Sequence, residues 1–262
     1  MRYVILVFLL SGQIFLNAQS KADSCKIVKV LTFNILHGAN TNGDFNLDVL
    51  ANVIKQTDPD LVALQEVDFK TRRAKGYDLV TELAWRVKMQ GLFGRAMYYD
   101  GGEYGEGLLS KYSLVGSQNI ALPHYPQSEP RSALEATTVL PSGDTIVFVA
   151  THLDHQEEGR DRIAQAEKIN ETYASLKHPC ILAGDLNAIP GSKTITMLEE
   201  FWTATYDKSH PTPTYPSHDP SIKIDYIMFY PKERWRIIDT QVIQDTLASD
   251  HCAYLVTLQL LD

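Results

Sequence analysis

Eight short runs rich in β-branched and aromatic residues are spread along the chain, and most of them stop at a polar side chain that a buried strand has no use for. They read KIVKVLTFNI, DLVALQEV, LEATTVL, DTIVFVATHL, PCILAGDL, IKIDYIMFY, WRIIDTQVI and AYLVTLQL. Pro141-Ser142-Gly143-Asp144, between the third and fourth runs, predicts a hairpin turn. Three other segments carry helical spacing instead. Leu47, Leu50, Val53 and Ile54 form one stripe; Leu79, Leu83 and Val87 form a second; Ile163, Ala166, Ile169, Tyr173 and Leu176 form a third. Strands mixed with helices predict an α+β or α/β protein.

The 262 residues contain no internal repeat and no Pro/Gly-rich linker after residue 26, so residues 26–262 are read as one domain. The opening MRYVILVFLLSGQIFLNAQS is set apart. Arg2 precedes an apolar run, and Ala18 to Ser20 offer small residues for a peptidase. This predicts a secretory signal peptide over 1–20, with export from a bacterial cell to periplasm or medium; an uncleaved membrane anchor is the alternative. Removing it loses only Arg2 and leaves 23 basic against 32 acidic residues, a net charge of −9. A surface that grips polynucleotide over many phosphates needs the opposite balance, so nucleic acid is disfavoured as a partner. Cys25, Cys180 and Cys252 are too few for a disulfide scaffold, and the last two sit in apolar surroundings that predict core positions.

The polar residues at the run ends are chemically complementary. Asn34 ends LTFN, Glu66 ends LQE, His152 ends FVATH, Asp185 and Asn187 end ILAGDLN, Asp225 interrupts IKIDYI, and Asp250-His251 precedes the last run. Taken singly, an Asp after a strand is usually a turn former or a helix cap. Together, the Asp, Glu and Asn oxygens suit a hard divalent cation, and the histidines suit phosphate contact or proton transfer.

The ordered set TFNI, LQEV, THLDH, GDLN, IDYIM and SDH resembles the endonuclease/exonuclease/phosphatase superfamily with its DNase I-like fold, from about Lys26 to Leu260. The stretch GGEYGEGLLSKYSL, followed by Arg131-Ser132-Ala133-Leu134, is similar to one branch of it; that branch often has Asn or an apolar residue where this chain has Glu106, an expected point of substrate tuning. The resemblance implies a four-layer α/β sandwich, two mixed β-sheets packed face to face with flanking helices, and a site at one rim. It implies a hydrolase of phosphate esters. Glu66, Asn34 and Asp250 would hold Mg²⁺ or Mn²⁺, and Asp185 would orient and deprotonate water. Asn187, His152 and His251 would contact the phosphoryl group, with Asp225 setting the tautomer of His251. Arg131 would either bind a second substrate anion or serve as a structural ion pair. A His rather than a Tyr at 152 looks more like the sphingomyelinase and phosphatase branches than abasic-site nucleases. The expected substrate is a phosphodiester or phosphomonoester, with lipid headgroups, inositol or sugar phosphates favoured. Tyr98, Tyr99, Tyr104, Tyr125 and Trp202 could line the rim for such a group. The chain is expected to act as a monomer.

Other classes fit less well. In THLDH the first His of a metallo-β-lactamase motif would fall on Ala150, and no G-x-S-x-G surrounds Ser110. A secreted nuclease and a non-catalytic phospho-ligand binder on the same fold stay open.

Overall fold

The computed structural model describes residues 26–157 and 159–262. The expected leader over 1–20 and Cys25 lie outside the described residues. The chain builds β1 (Ile27–Asn34), α1 (Leu47–Thr57), β2 (Leu61–Phe69), α2 (Leu79–Val87), β3 (Gln90–Tyr99), β4 (Gly102–Ser110) and β5 (Leu114–Ala121). It continues through β6 (Ser132–Val139), β7 (Thr145–His152), α3 (Arg160–Tyr173), β8 (Cys180–Asp185), α4 (Lys193–Glu199), β9 (Thr203–Ala204), β10 (Asp225–Tyr230), β11 (Trp235–Ile243) and β12 (Ala253–Leu260).

Two mixed six-stranded sheets result, ordered β11-β12-β1-β2-β4-β3 and β5-β6-β7-β8-β10-β9. Each is built around one parallel pair, β1 with β2 and β7 with β8, joined across a helix as parallel neighbours require. The inner faces meet in a dry core of Val28, Val30, Leu61 and Leu108 against Leu134, Phe148, Ile181 and Phe229. Helices α1 and α2 cover the outer face of the first sheet; α3 and α4 cover that of the second. The four-layer sandwich expected from the sequence is the one observed.

The three expected helices form, although α3 ends at Tyr173 and leaves Leu176, the last residue of its stripe, beyond the helix. Asn46 caps α1 by accepting from the Asp48 N–H, and Leu47, Leu50, Val53 and Ile54 are its buried face. Asp78 caps α2 by accepting from the Thr81 N–H. The hairpin turn at 141–144 joins β6 to β7, with Gly143 at φ 89°. Cys180 and Cys252 are free and buried, as expected.

Strands β3, β4, β5 and β9 and helix α4 lie outside the eight runs and three stripes. Strand β5 is an exposed edge without an apolar face, and β4 carries Gly102, Gly105 and Gly107. Those glycines look like loop formers in sequence, yet a Cβ on Gly105 would lie 2.0 Å from the Gly94 carbonyl oxygen on β3. Close approach of two backbones, not flexibility, is the reason for Gly there.

Trp202 corrects one expectation. It is 2% exposed, packs edge-on against Tyr173, and donates from Nε1 to Asn170 Oδ1 at 3.0 Å, so it is core and not rim. Trp202→Ala is expected to cost about 3–5 kcal/mol of stability, read by urea denaturation. A loss below about 1 kcal/mol would show that α3 and α4 do not depend on this contact.

Candidate active site

On the central strands the row of side chains facing the opposite sheet changes from apolar to polar at one common end. Val28 and Val30 lead to Thr32 and Asn34, and Leu61 and Ala63 lead to Gln65. Ile146, Phe148 and Ala150 lead to His152, and Ile181 and Ala183 lead to Asp185. On the antiparallel strands the row runs backwards, from Phe229 and Ile227 to Asp225, and from Leu108 to Glu106. The inter-sheet core therefore ends in a polar floor supplied by both sheets. A cleft of about 570 Å³ opens above it.

Backbone irregularities aim the remaining groups. Strand β2 slips register against β4 between Leu64 and Val67, and within this bulge Glu66 adopts φ 57°. Bulges and left-handed non-Gly residues re-aim side chains at functional sites and carry strain that the surrounding fold must hold. Asn187, at φ 48°, is a second such residue. Between them, Gly184 is obligatory: a Cβ there would lie 1.9 Å from the Thr151 carbonyl oxygen. Without it β8 could not seat against β7, and Asp185 would move.

Asp185 is the hub. Its Oδ1 accepts from the Asn187 N–H at 2.9 Å, and its Oδ2 accepts from Asn34 Nδ2 at 3.3 Å. The same Oδ2 lies 3.4 Å from His152 Nε2 and 3.6 Å from His251 Nε2. His251 Nδ1 sits 3.1 Å from Asp225 Oδ2, and Asp225 is wholly buried, its N–H donating to Thr214 Oγ1. Asp250 is tied into the floor through Ser249, whose Oγ donates to the Asn34 carbonyl at 2.7 Å and lies 3.4 Å from Asp250 Oδ1.

The two histidines are electronically opposite. Burial disfavours a charged His251, but Asp225 and Asp185 outweigh it and raise its pKa to about 10, so it is a cation. Burial, reinforced by the neighbouring Arg131 charge, holds His152 well below the ordinary range, so it is neutral. Burial pushes Asp185 up to about 7 against the pull of His251, into the range of an effective general base. Glu66 resists its own burial: contacts from His37, His152 and Asn34 draw it down to about 2. Burial drives Glu106 well above the carboxylate range despite Arg131, so this acid is neutral.

Seven of the nine expected site residues line the cleft; Asn34 and Asp225 lie just beneath it, fully buried. Arg131 is 3% exposed and lies behind His152, not out over the opening. Of the rim aromatics only Tyr99 and Tyr104 line the cleft; Tyr98 and Tyr125 are exposed elsewhere. His37, His155, Arg73 and Tyr215 are additions. His37 Nδ1 lies 3.4 Å from Glu66 Oε2, and Tyr215 packs 4.7 Å from the His251 ring. His155 was visible in THLDH; His37 and Tyr215 carry no local signal that separates them from surface residues.

The donor set fits a hard divalent cation. Glu66 and Asp250 are carboxylates that are only partly buried and face the cleft, and one or two such groups with water complete a Mg²⁺ or Mn²⁺ shell. Asn34 turns its Nδ2, not its Oδ1, toward Glu66 at 3.1 Å, and its Oδ1 accepts from the Leu36 N–H. In this orientation it holds the Glu66 carboxylate in place. Asp185, Asp225 and His251 also present ligand atoms within 4.8 Å of one another. Without a cation, that trio is held together as an ion-paired network, with His251 between the two carboxylates.

The sequence profile of the endonuclease/exonuclease/phosphatase family matches residues 31–251, which carry every one of these groups. The chain belongs to that family. Hydrolysis of phosphoester bonds is the chemistry of the endonuclease/exonuclease/phosphatase family, and its members generally depend on a divalent metal. The uncharacterized protein YbhP of Escherichia coli is 28% identical over 218 residues, covering 76% of this chain and 83% of its own. The mannosyl-6-phosphatase of Bacteroides thetaiotaomicron superposes with a TM-score of 0.70 at 18% identity, over 88% of this chain and 99% of its own. ANGEL2, a 2′,3′-cyclic phosphatase solved with adenosine-2′,3′-vanadate, gives 0.70 at 15% identity, over 89% and 96%. Both structural likenesses establish a shared fold.

Proposed function

We propose that this chain is an exported, divalent-metal-dependent phosphoesterase that hydrolyses a phosphodiester or phosphomonoester by attack of water. One observation carries the reading: a carboxylate, Asp185, sits at the centre of a ring of hydrogen-bond donors at the floor of an open cleft. Phosphoryl transfer asks for this combination of a water-orienting acceptor and donors for the equatorial oxygens. Asp185 orients the water and takes its proton. The cationic His251 and the Asn187 amide stabilise charge gathering on phosphoryl oxygens. A Mg²⁺ or Mn²⁺ ion between Glu66 and Asp250 would supply Lewis-acid stabilisation of a phosphoryl oxygen.

The cleft is far larger than a phosphoryl group, so part of the alcohol portion binds inside it. A sugar, inositol or lipid headgroup suits its mixed lining of Tyr99, Tyr104, Ile189 and Ile224. The structural likeness to a sugar phosphatase supports that class. Nucleic acid fits less well. Of the two arginines that line the cleft, Arg73 is paired with the buried Asp68 and Arg131 lies behind His152.

The test is turnover of bis-p-nitrophenyl phosphate, p-nitrophenyl phosphate, mannose 6-phosphate, sphingomyelin and an oligonucleotide with Mg²⁺ or Mn²⁺, each repeated with EDTA. Metal-dependent release from a non-nucleotide ester is expected. Silence across the panel with both metals would favour a phospho-ligand binder. Glu66→Gln is expected to raise the Mn²⁺ concentration giving half-maximal rate by at least about 10-fold. An unmoved metal titration would remove Glu66 from the cation site. Loss of export on deleting residues 1–20 tests the leader.

A further inference from the structure

Arg131 does something more specific than balance charge. Its Nη1 lies 2.9 Å from His152 Nδ1, and its Nη2 lies 3.3 Å from His155 Nδ1. A guanidinium carries only donors and keeps its proton at every accessible pH. Each Nδ1 facing it must therefore be a bare acceptor, which leaves the single proton of a neutral imidazole on Nε2. The arginine cannot swing away, because it is 3% exposed and Glu129 Oε1 lies 3.1 Å from Nη1.

On the other side of the ring, His152 Nε2 lies 2.9 Å from Asn187 Nδ2. The orientation of that amide is set independently, since its Nδ2 donates to the Leu153 carbonyl at 3.0 Å and an oxygen there would be repelled. Two N–H groups thus converge with no acceptor between them. Asp185 Oδ2 lies off to the side of the pair, at a long 3.4 Å from Nε2. Facing donors in a buried floor are unfavourable until an electron-rich oxygen enters between them.

We propose that Arg131 is a positioning residue that locks His152 in the neutral Nε2–H tautomer, so that His152 and Asn187 form a paired donor for one anionic oxygen and His152 does not serve as a base. The paired-donor role rests on the phosphoesterase reading; the tautomer lock does not.

The test is ¹⁵N spectroscopy of histidine-labelled full-length protein at neutral pH without metal or substrate, with His152 assigned by its absence in His152→Gln. A bare Nδ1 and a protonated Nε2 are expected, and a protonated Nδ1 in the wild type overturns the proposal. In Arg131→Met, mixed tautomers are expected; an unchanged single Nε2–H form overturns the lock. Should that variant fail to fold, Arg131→Gln, whose amide can present an oxygen to Nδ1 as well as an N–H, is read in the same way. On a phosphodiester probe Arg131→Met is expected to lower kcat by about 10- to 100-fold with little change in KM, and added guanidinium is expected to restore part of it. A change confined to KM would overturn the positioning role. If the wild type hydrolyses no phosphate ester, the functional reading falls while the spectra still decide the tautomer.

Discussion

Asp185→Asn is expected to lower kcat on a phosphodiester probe by about 100- to 10,000-fold, the usual contribution of a positioned general base. Asn can occupy the same space, and its single carbonyl oxygen can keep the contact from the Asn187 N–H while giving up the long one from Asn34, but it cannot accept a proton from water. The fold should survive. His251 retains Asp225 as its counter-ion at 3.1 Å, and the substitution removes a buried carboxylate whose ionisation burial opposes. Rate and thermal unfolding measured on one preparation separate the two effects. A variant that turns over at near wild-type rate would remove Asp185 from the chemistry, and one that fails to fold would make it a structural residue.

His251→Ala is expected to act on both stability and rate. It strips the cation from between Asp185 and Asp225, whose carboxylates lie within the same 4.8 Å cluster and are both almost fully buried. Removing one partner of a buried ion pair costs about 3–5 kcal/mol, because the charge left behind has neither water nor counter-ion. Adding Asp225→Asn should recover more than about 1 kcal/mol of that loss, a coupling that urea denaturation of the two single variants and the double variant measures directly. The rate should stay at least about 100-fold down in both backgrounds, since the phosphate donor is missing from each. Equal stability of the single and double variants would mean that Asp225 and His251 do not form the pair described here. A normal rate in His251→Ala would remove the donor role while leaving the pair intact.

Much of the site was legible because each polar residue interrupts a local pattern. Asn34, Glu66, His152, Asp185 and Asp225 stand where an apolar run breaks; at Asn34, His152, Asp185 and Asp225 the break marks a strand end, and at Glu66 it marks the bulge within β2. The helices were legible for the same reason: a stripe such as Leu47, Leu50, Val53 and Ile54 is complete within a few turns. Strand β4 was not, since Gly105 is explained by the Gly94 backbone on β3, Gly102 by the backbone of Phe69 to Thr71 and Gly107 by the Val80 side chain, none of them near in sequence. Trp202 illustrates the reverse error. An aromatic that could line a rim turned out to be packed between two helices.

What the chain determined locally was its inventory: which segments extend, which coil, and which acids, amides and imidazoles stand at their ends. Protonation was decided only by the tertiary structure, because charge depends on neighbours brought together from distant segments. His152 and His251 are identical in covalent chemistry and both lie near Asp185, yet His152 is buried against a guanidinium and His251 against the second carboxylate of Asp225, so one is held neutral and the other charged. Glu66 and Glu106 diverge for the same reason, one ionised at the cleft and the other buried as an acid. Coulomb interaction and desolvation act through space, across separations that the order of residues does not record.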